Sequence, residues 1–176
     1  RELFPMRPLP AGRVRASDLR GALAAAQLAY LALHAATGLA LLTALAVLGY
    51  AQLMFRWFFA PNLLRSRLLL TLVTHTPISP LMLVHLLVLF AVQRGFDPAV
   101  VLGAPALSLV AAYWALVLGW EVARKIRSAA EEDAYVTYSR RLGRSGAVAL
   151  SAAAQAAAFL ITAMGFVRSV PAALIL

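Results

Sequence analysis

No cysteine occurs in the 176 residues, so disulfides, thiol nucleophiles and thiolate metal sites are all excluded. Charge is scarce as well. Only 13% of the chain is Asp, Glu, Lys or Arg, against roughly 25% in an ordinary soluble domain. Acids are the rarer sign, seven against sixteen Lys and Arg. No polar stretch is long enough to build a soluble domain of its own. What fills the chain instead is apolar: 62% hydrophobic residues and a mean hydropathy of +0.82. Several apolar runs reach the roughly 20 residues that a helix needs to cross a bilayer. Composition therefore predicts an all-α protein, a polytopic transmembrane helix bundle forming a single domain over 1–176.

A net charge of +9 invites a nucleic-acid reading, but the basic residues sit between apolar runs, where the positive-inside bias places them. No nucleic-acid partner is expected; the expected surroundings are membrane lipid. The first residue is Arg1 and the last, Leu176, falls inside an apolar run that has barely begun. The sequence reads as a piece cut at both ends, with helices missing on each side.

Five spans are predicted, at about 19–36, 39–59, 68–92, 100–122 and 147–166, and a sixth starts at Pro171. Ser17 is the expected N-cap of the first, whose alanines (Ala22, Ala24, Ala25, Ala26, Ala29) suit close helix contacts. Pro61 is expected to stop the second. Pro77 and Pro80 should break the third near its first third, freeing carbonyls that need other partners. With the N-terminal segment taken as cytoplasmic, fourteen of the sixteen basic residues fall on that face, and only Arg94 and Arg168 on the other. The polar loop after the fourth span is then cytoplasmic.

That loop, 121–143, is where the chain concentrates its charge. The stretch from Trp120 to Gly143 holds four of the seven acids and five of the sixteen basic residues. Arg124, Lys125 and Arg127, with Glu131, Glu132 and Asp133, have the composition to hold a metal-bound diphosphate: Mg²⁺ takes oxygen ligands and bridges phosphates, and Arg and Lys clamp the remaining charge. The alternative is an ordinary loop whose cations serve topology. Glu121 either pairs with Lys125 four residues on or faces a cavity at the end of its helix. His75 lies about two turns into the third span, roughly 10 Å along the axis, just before the proline break. It is expected in the bundle interior, as a site residue or as a neutral histidine bonded to a freed carbonyl. For His34 and His85 the structural role is favoured. Tyr50, Gln52 and Arg56 are expected near the same cavity, and Trp57, Phe58 and Phe59 as an interfacial anchor.

Three segments carry a family resemblance. Met6-Arg7-Pro8-Leu9-Pro10-Ala11-Gly12-Arg13-Val14, followed by Asp18-Leu19-Arg20, resembles the segment of UbiA-type membrane prenyltransferases that follows their first Asp-rich motif. Glu121, Arg124, Lys125, Arg127, Glu132, Thr137, Tyr138, Ser139 and Gly143 resemble the second motif region of a bacterial branch of that family. Thr74-His75-Thr76-Pro77-Ile78-Ser79-Pro80-Leu81 resembles that branch's fifth helix.

The resemblance implies helices three to seven of a nine-helix bundle. It also implies transfer of an isoprenyl group from a prenyl diphosphate to an acceptor, often an aromatic ring, with Mg²⁺ as cofactor. Glu121, Glu131, Glu132 and Asp133 would be the metal ligands, Arg124, Lys125 and Arg127 the diphosphate clamp, and His75 and Lys125 the catalytic residues. One departure stands out. The family's second motif has aspartates where this chain has Lys125 and Ser128, and only Glu132 keeps a carboxylate. Helical spacing puts Arg124 and Arg127 on one face as a clamp, with Lys125, Glu121 and Glu132 as the vestige of the metal site. The runner-up is a non-catalytic, lipid-binding or partner-subunit homologue. A transporter fragment is the third class, suited to the broken span and the intramembrane His75.

Overall fold

The computed structural model describes residues 8, 9, 11–132 and 136–169. Asp133, the run from Pro171, and Met6, Arg7 and Pro10 of the N-terminal segment lie outside the described residues. The described residues form α-helices joined by short turns, with no strand among them. These are α1 (Ala16–His34), α2 (Leu39–Phe55), α3 (Pro61–Ser66), α4 (Leu68–His75), α5 (Ile78–Arg94), α6 (Pro98–Val101), α7 (Ala104–Ala123) and α8 (Tyr138–Ser169).

The all-α class expected from composition is what the chain adopts. Three stretches are long and apolar enough to cross a membrane: Leu68–Arg94, Ala104–Ala123 and Tyr138–Gly165. Their outward faces carry large apolar side chains such as Leu86, Phe90, Leu116, Phe159 and Leu160. Apolar surface on this scale fits lipid rather than water, and the chain is membrane-associated. α2 is apolar but has 17 residues, and α1 is not among the three.

The proline break falls where the sequence puts it. α4 ends at His75 and α5 begins at Ile78. Pro80 takes the third position of α5, where its missing N–H breaks no helical bond. The Thr76 hydroxyl donates to the Leu72 carbonyl at 2.8 Å and accepts from Trp114 Nε1 at 3.1 Å, which ties the kink to α7.

Packing relies on small residues, but not on the expected ones. The alanines of α1 are all exposed, and Arg15 rather than Ser17 precedes its first turn. Close contacts form instead where α2 meets α5, through Ala40, Ala44, Val88 and Ala91, and above all along α7 and α8. Ala112, Ala115 and Ala158 form one patch there. Gly119 lies against α8, and the buried Ser151 hydroxyl donates to the Gly119 carbonyl at 2.8 Å. Small residues let helix backbones approach in this way.

Two other boundaries differ from expectation. Pro61 does not stop α2, which ends at Phe55; it opens α3, at a first-turn position that suits proline. Between them Trp57, Phe58 and Phe59 form a left-handed turn with φ of 54°, 49° and 58°. The last span begins at Tyr138, not Ala147, so the polar connection shrinks to 124–137. α8 kinks at Gly143, whose φ of 71° favours glycine.

Candidate functional site

A cavity of about 600 Å³ opens beside the C-terminal end of α7. α2 and the aromatic turn supply Met54, Phe55 and Trp57; α4 and the break supply Thr71, His75 and Thr76; α7 and its exit supply Trp120, Glu121, Arg124 and Lys125; Tyr138 begins α8. The wall is mainly apolar, with the charged groups gathered at one part of it.

Glu121 is the centre of that charge. Its Oε1 accepts from Arg124 Nη2 at 2.8 Å and from Lys125 Nζ at 2.7 Å, while Oε2 pairs with Arg124 Nε. Lys125 and Glu121 are largely buried, their side chains 13% and 16% exposed; Arg124 is more open. Arg124 lies over the Trp120 ring at 5.2 Å, and Lys125 Nζ is 5.8 Å from the Tyr138 ring centroid. Glu121 thus does both things weighed for it: it pairs with Lys125, a pairing that Arg124 shares, and it lines the cavity.

His75 is half-buried and lines the same cavity, as expected. Its Nδ1 is 3.0 Å from the Thr71 carbonyl, which can only accept. In the neutral ring Nδ1 then carries the proton and Nε2 is the acceptor. Trp57 and Phe58 stack edge-on against His75, both at 5.5 Å between centroids. Left-handed backbone costs about 1–2 kcal/mol per non-glycine residue. The aromatic contacts, with the Tyr50 hydroxyl donating to the Thr74 carbonyl at 2.9 Å, hold this turn in place. Trp57 and Phe58 thus serve the cavity rather than only an interface, whereas Phe59 is exposed. Tyr50 lies behind the turn, and Gln52 and Arg56 are exposed and outside the lining.

The polar connection is organised differently from the sequence expectation. α7 ends at Ala123, so helical spacing does not carry to Arg127. Arg127 does not line the cavity with Arg124; its Nη1 reaches the Glu131 carbonyl at 3.3 Å. Glu131 accepts from Ser128 Oγ at 2.9 Å and from the Ser128 N–H, closing a capping box. Glu132 accepts from Thr137 Oγ1 at 2.6–2.7 Å and from Ser139 Oγ at 2.6 Å. Those hydroxyls in turn accept the backbone N–H groups of Arg140 at 3.1 Å and Arg127 at 2.9 Å. Thr137-Tyr138-Ser139 and Glu132 are thus a clasp that starts α8 early and closes the loop, and Lys125 stays with Glu121 alone among the acids its ion pair involves.

Mg²⁺ asks for several oxygens around one point. Among the described residues no three His, Asp or Glu side chains assemble that way. Glu121 is neutralised by two cations, while Glu131 and Glu132 are occupied by hydroxyl and backbone donors. The described carboxylates do not fit a Mg²⁺ site, and no chemical step is routed through one. Trp57, Thr71 and Tyr138 were missed as site residues; for Tyr138 the signal was its place beside the capping Thr137.

Hydrogen bonds from Ser139 and Thr137 hold the Glu132 carboxyl below its usual range. A depressed folded-state value means that the clasp contributes stability above the ordinary carboxylate range and loses it as pH falls through the folded value. The protection factors of the Arg127 and Arg140 amides, taken against intrinsic exchange at each pH, should therefore be high at neutral pH and fall in acid below the ordinary range, and Glu132→Gln should flatten that dependence. An unchanged acid profile in the variant would remove Glu132 from this role.

Set against known proteins, the chain matches no family model, no curated protein and no solved structure.

Proposed function

We propose that this chain belongs to a multi-pass membrane homologue of the UbiA-type prenyltransferases, with residues 124–137 on the cytoplasmic side. It transfers an isoprenyl group from a prenyl diphosphate to an acceptor such as an aromatic ring. The observation that carries the reading is the convergence of His75, Glu121, Arg124 and Lys125 on one cavity with apolar walls. An isoprenyl chain needs an apolar wall, and a diphosphate needs cations at its mouth.

In this reading the C1–O bond of the donor breaks and diphosphate leaves with the electron pair. Arg124 and Lys125 face the charge that develops and exchange Glu121 for phosphate oxygens. The new bond forms between C1 and the acceptor, and the acceptor's proton passes to Nε2 of His75, the acceptor nitrogen of the neutral ring. Preorganised charge of this kind is usually the largest single contribution to such catalysis. Release of inorganic diphosphate from farnesyl or geranyl diphosphate, by the full-length protein with phenolic acceptors, tests the reading.

The Glu121 pairing favours a second reading. One carboxylate already neutralises much of the charge of both cations, which suits a non-catalytic homologue that binds isoprenoid lipid. Binding of the donor without release of diphosphate would select it.

Orientation is tested separately, and no cysteine within these 176 residues competes for the label. Ala130 is exposed in the polar connection. Ala130→Cys should react with an impermeant thiol reagent only after cells are opened; labelling in intact cells would reverse the topology.

A further inference from the structure

A second cavity, of about 290 Å³, lies between α1, α2 and α5 and shares no lining residue with the first. Its walls are aliphatic except for Tyr30, His34, Met82 and His85. Both histidines are buried, at 7% and 4% exposure, which is unusual for a group that needs polar partners.

Each ring has one nitrogen committed. His34 Nδ1 is 2.7 Å from the Tyr30 carbonyl, so Nδ1 donates. His85 Nδ1 is 2.8 Å from Thr43 Oγ1, whose own proton goes to the Ala40 carbonyl at 3.0 Å. The arrangement that makes both bonds has His85 Nδ1 donating as well. Both Nε2 atoms are then bare lone pairs. Neither makes a hydrogen bond, yet among the described residues no sealed side-chain nitrogen lacks a partner. Neither Nε2 is therefore sealed off, and both rings line the cavity.

The ring centroids are 5.0 Å apart and the planes inclined by 53°. With metal–imidazole bonds of about 2.0–2.1 Å, two rings on one ion have centroids roughly 5–6 Å apart. Backbone and threonine oxygens orient the rings from behind, as the outer partners of metal-bound histidines do. Met82 adds a thioether to the same wall.

We propose that His34, His85 and Met82 form a binding site for a single cuprous ion. Charge and softness select the ion. No carboxylate lines the cavity, so a divalent ion would find no anionic ligand to compensate its charge. Imidazole and thioether together favour Cu(I) over harder ions. The site shares no lining residue with the first cavity and does not depend on the prenyl-transfer reading.

Anaerobic titration of the full-length protein with Cu(I), against a competing chromogenic chelator, is the test. One ion per chain is expected, with an X-ray absorption signature of two nitrogen ligands and one sulfur. His34→Gln and His85→Gln should each weaken binding by at least 100-fold. Met82→Leu should remove the sulfur scatterer and weaken binding about 10-fold. His75→Gln, in the other cavity, should leave it unchanged. Monodispersity in detergent shows that each variant has folded. Failure of the folded wild type to retain Cu(I), retention of Zn²⁺ in its place, or equal binding by the histidine variants would each overturn the proposal.

Discussion

Lys125→Ala is expected to lower turnover of a prenyl diphosphate by about 100- to 1,000-fold, or about 2.7–4 kcal/mol, by analogy with the loss of one preorganised oxyanion donor. Arg140→Ala should change turnover by no more than a factor of a few. The contrast rests on placement. The Lys125 ammonium is largely buried, lines the cavity and sits against Glu121 and Tyr138. Arg140 is exposed outside that lining, and its backbone N–H bond to Thr137 survives the substitution. The fold should tolerate Lys125→Ala, because Glu121 keeps both contacts to Arg124. Steady-state kcat and KM of the full-length protein check the result. A fall in kcat at nearly constant KM marks a contribution made in the transition state. Equal, small effects from both substitutions would defeat the assignment and favour the non-catalytic homologue.

Gly119→Val should destabilise the protein by about 1–3 kcal/mol through overpacking, with a further contribution of about 1 kcal/mol if the hydrogen bond at this position is lost. A Cβ at Gly119 would lie 3.1 Å from the Ser151 carbonyl oxygen, 3.1 Å from Gln155 Cγ and 3.5 Å from Ala154 Cβ. The first of these is backbone in the middle of a helix and cannot step aside. The helices would have to separate, which also threatens the Ser151 bond to the Gly119 carbonyl. Gly49 is the matched control: it lies within α2, and nothing stands within 4 Å of its Cβ direction. Thermal unfolding in detergent, followed by size-exclusion profile and helical signal, should separate the two valine variants clearly. Equal stability would show that the α7–α8 contact is looser than the close approach at Gly119 implies.

Much of this was open to inspection in the residues alone, for a local reason. A backbone in lipid must satisfy its own hydrogen bonds, so long apolar runs become helices whatever they pack against. Proline cannot hide its missing donor, so the break between His75 and Ile78 is visible at Pro77. Glu121 and Lys125 are four apart, and although α7 ends at Ala123 the turn that follows keeps them within reach, so their pairing was visible in the spacing. The place of His75 just before the break followed from counting residues. These properties depend on neighbours a few positions away.

The remainder was decided by contacts between segments distant in the chain. Glu131 and Glu132 were legible as charge, but not their partners. The hydroxyls of Thr137 and Ser139 took Glu132, and a box with Ser128 took Glu131, so neither carboxylate joins Glu121. The same clasp started α8 nine residues before the apolar run at Ala147, because a buried cap can outweigh the polarity of the turn that follows it. Arg127 lost its expected place beside Arg124 when α7 ended at Ala123. Alanine content pointed to α1, yet the tightest seam formed at Gly119, where shape on two helices matched. His34 and His85, fifty-one residues apart, meet only through the packing of α1 against α2 and α2 against α5. Local sequence determined which segments are helical and apolar; which side chains share a cavity was set by helix packing, because that is a property of pairs.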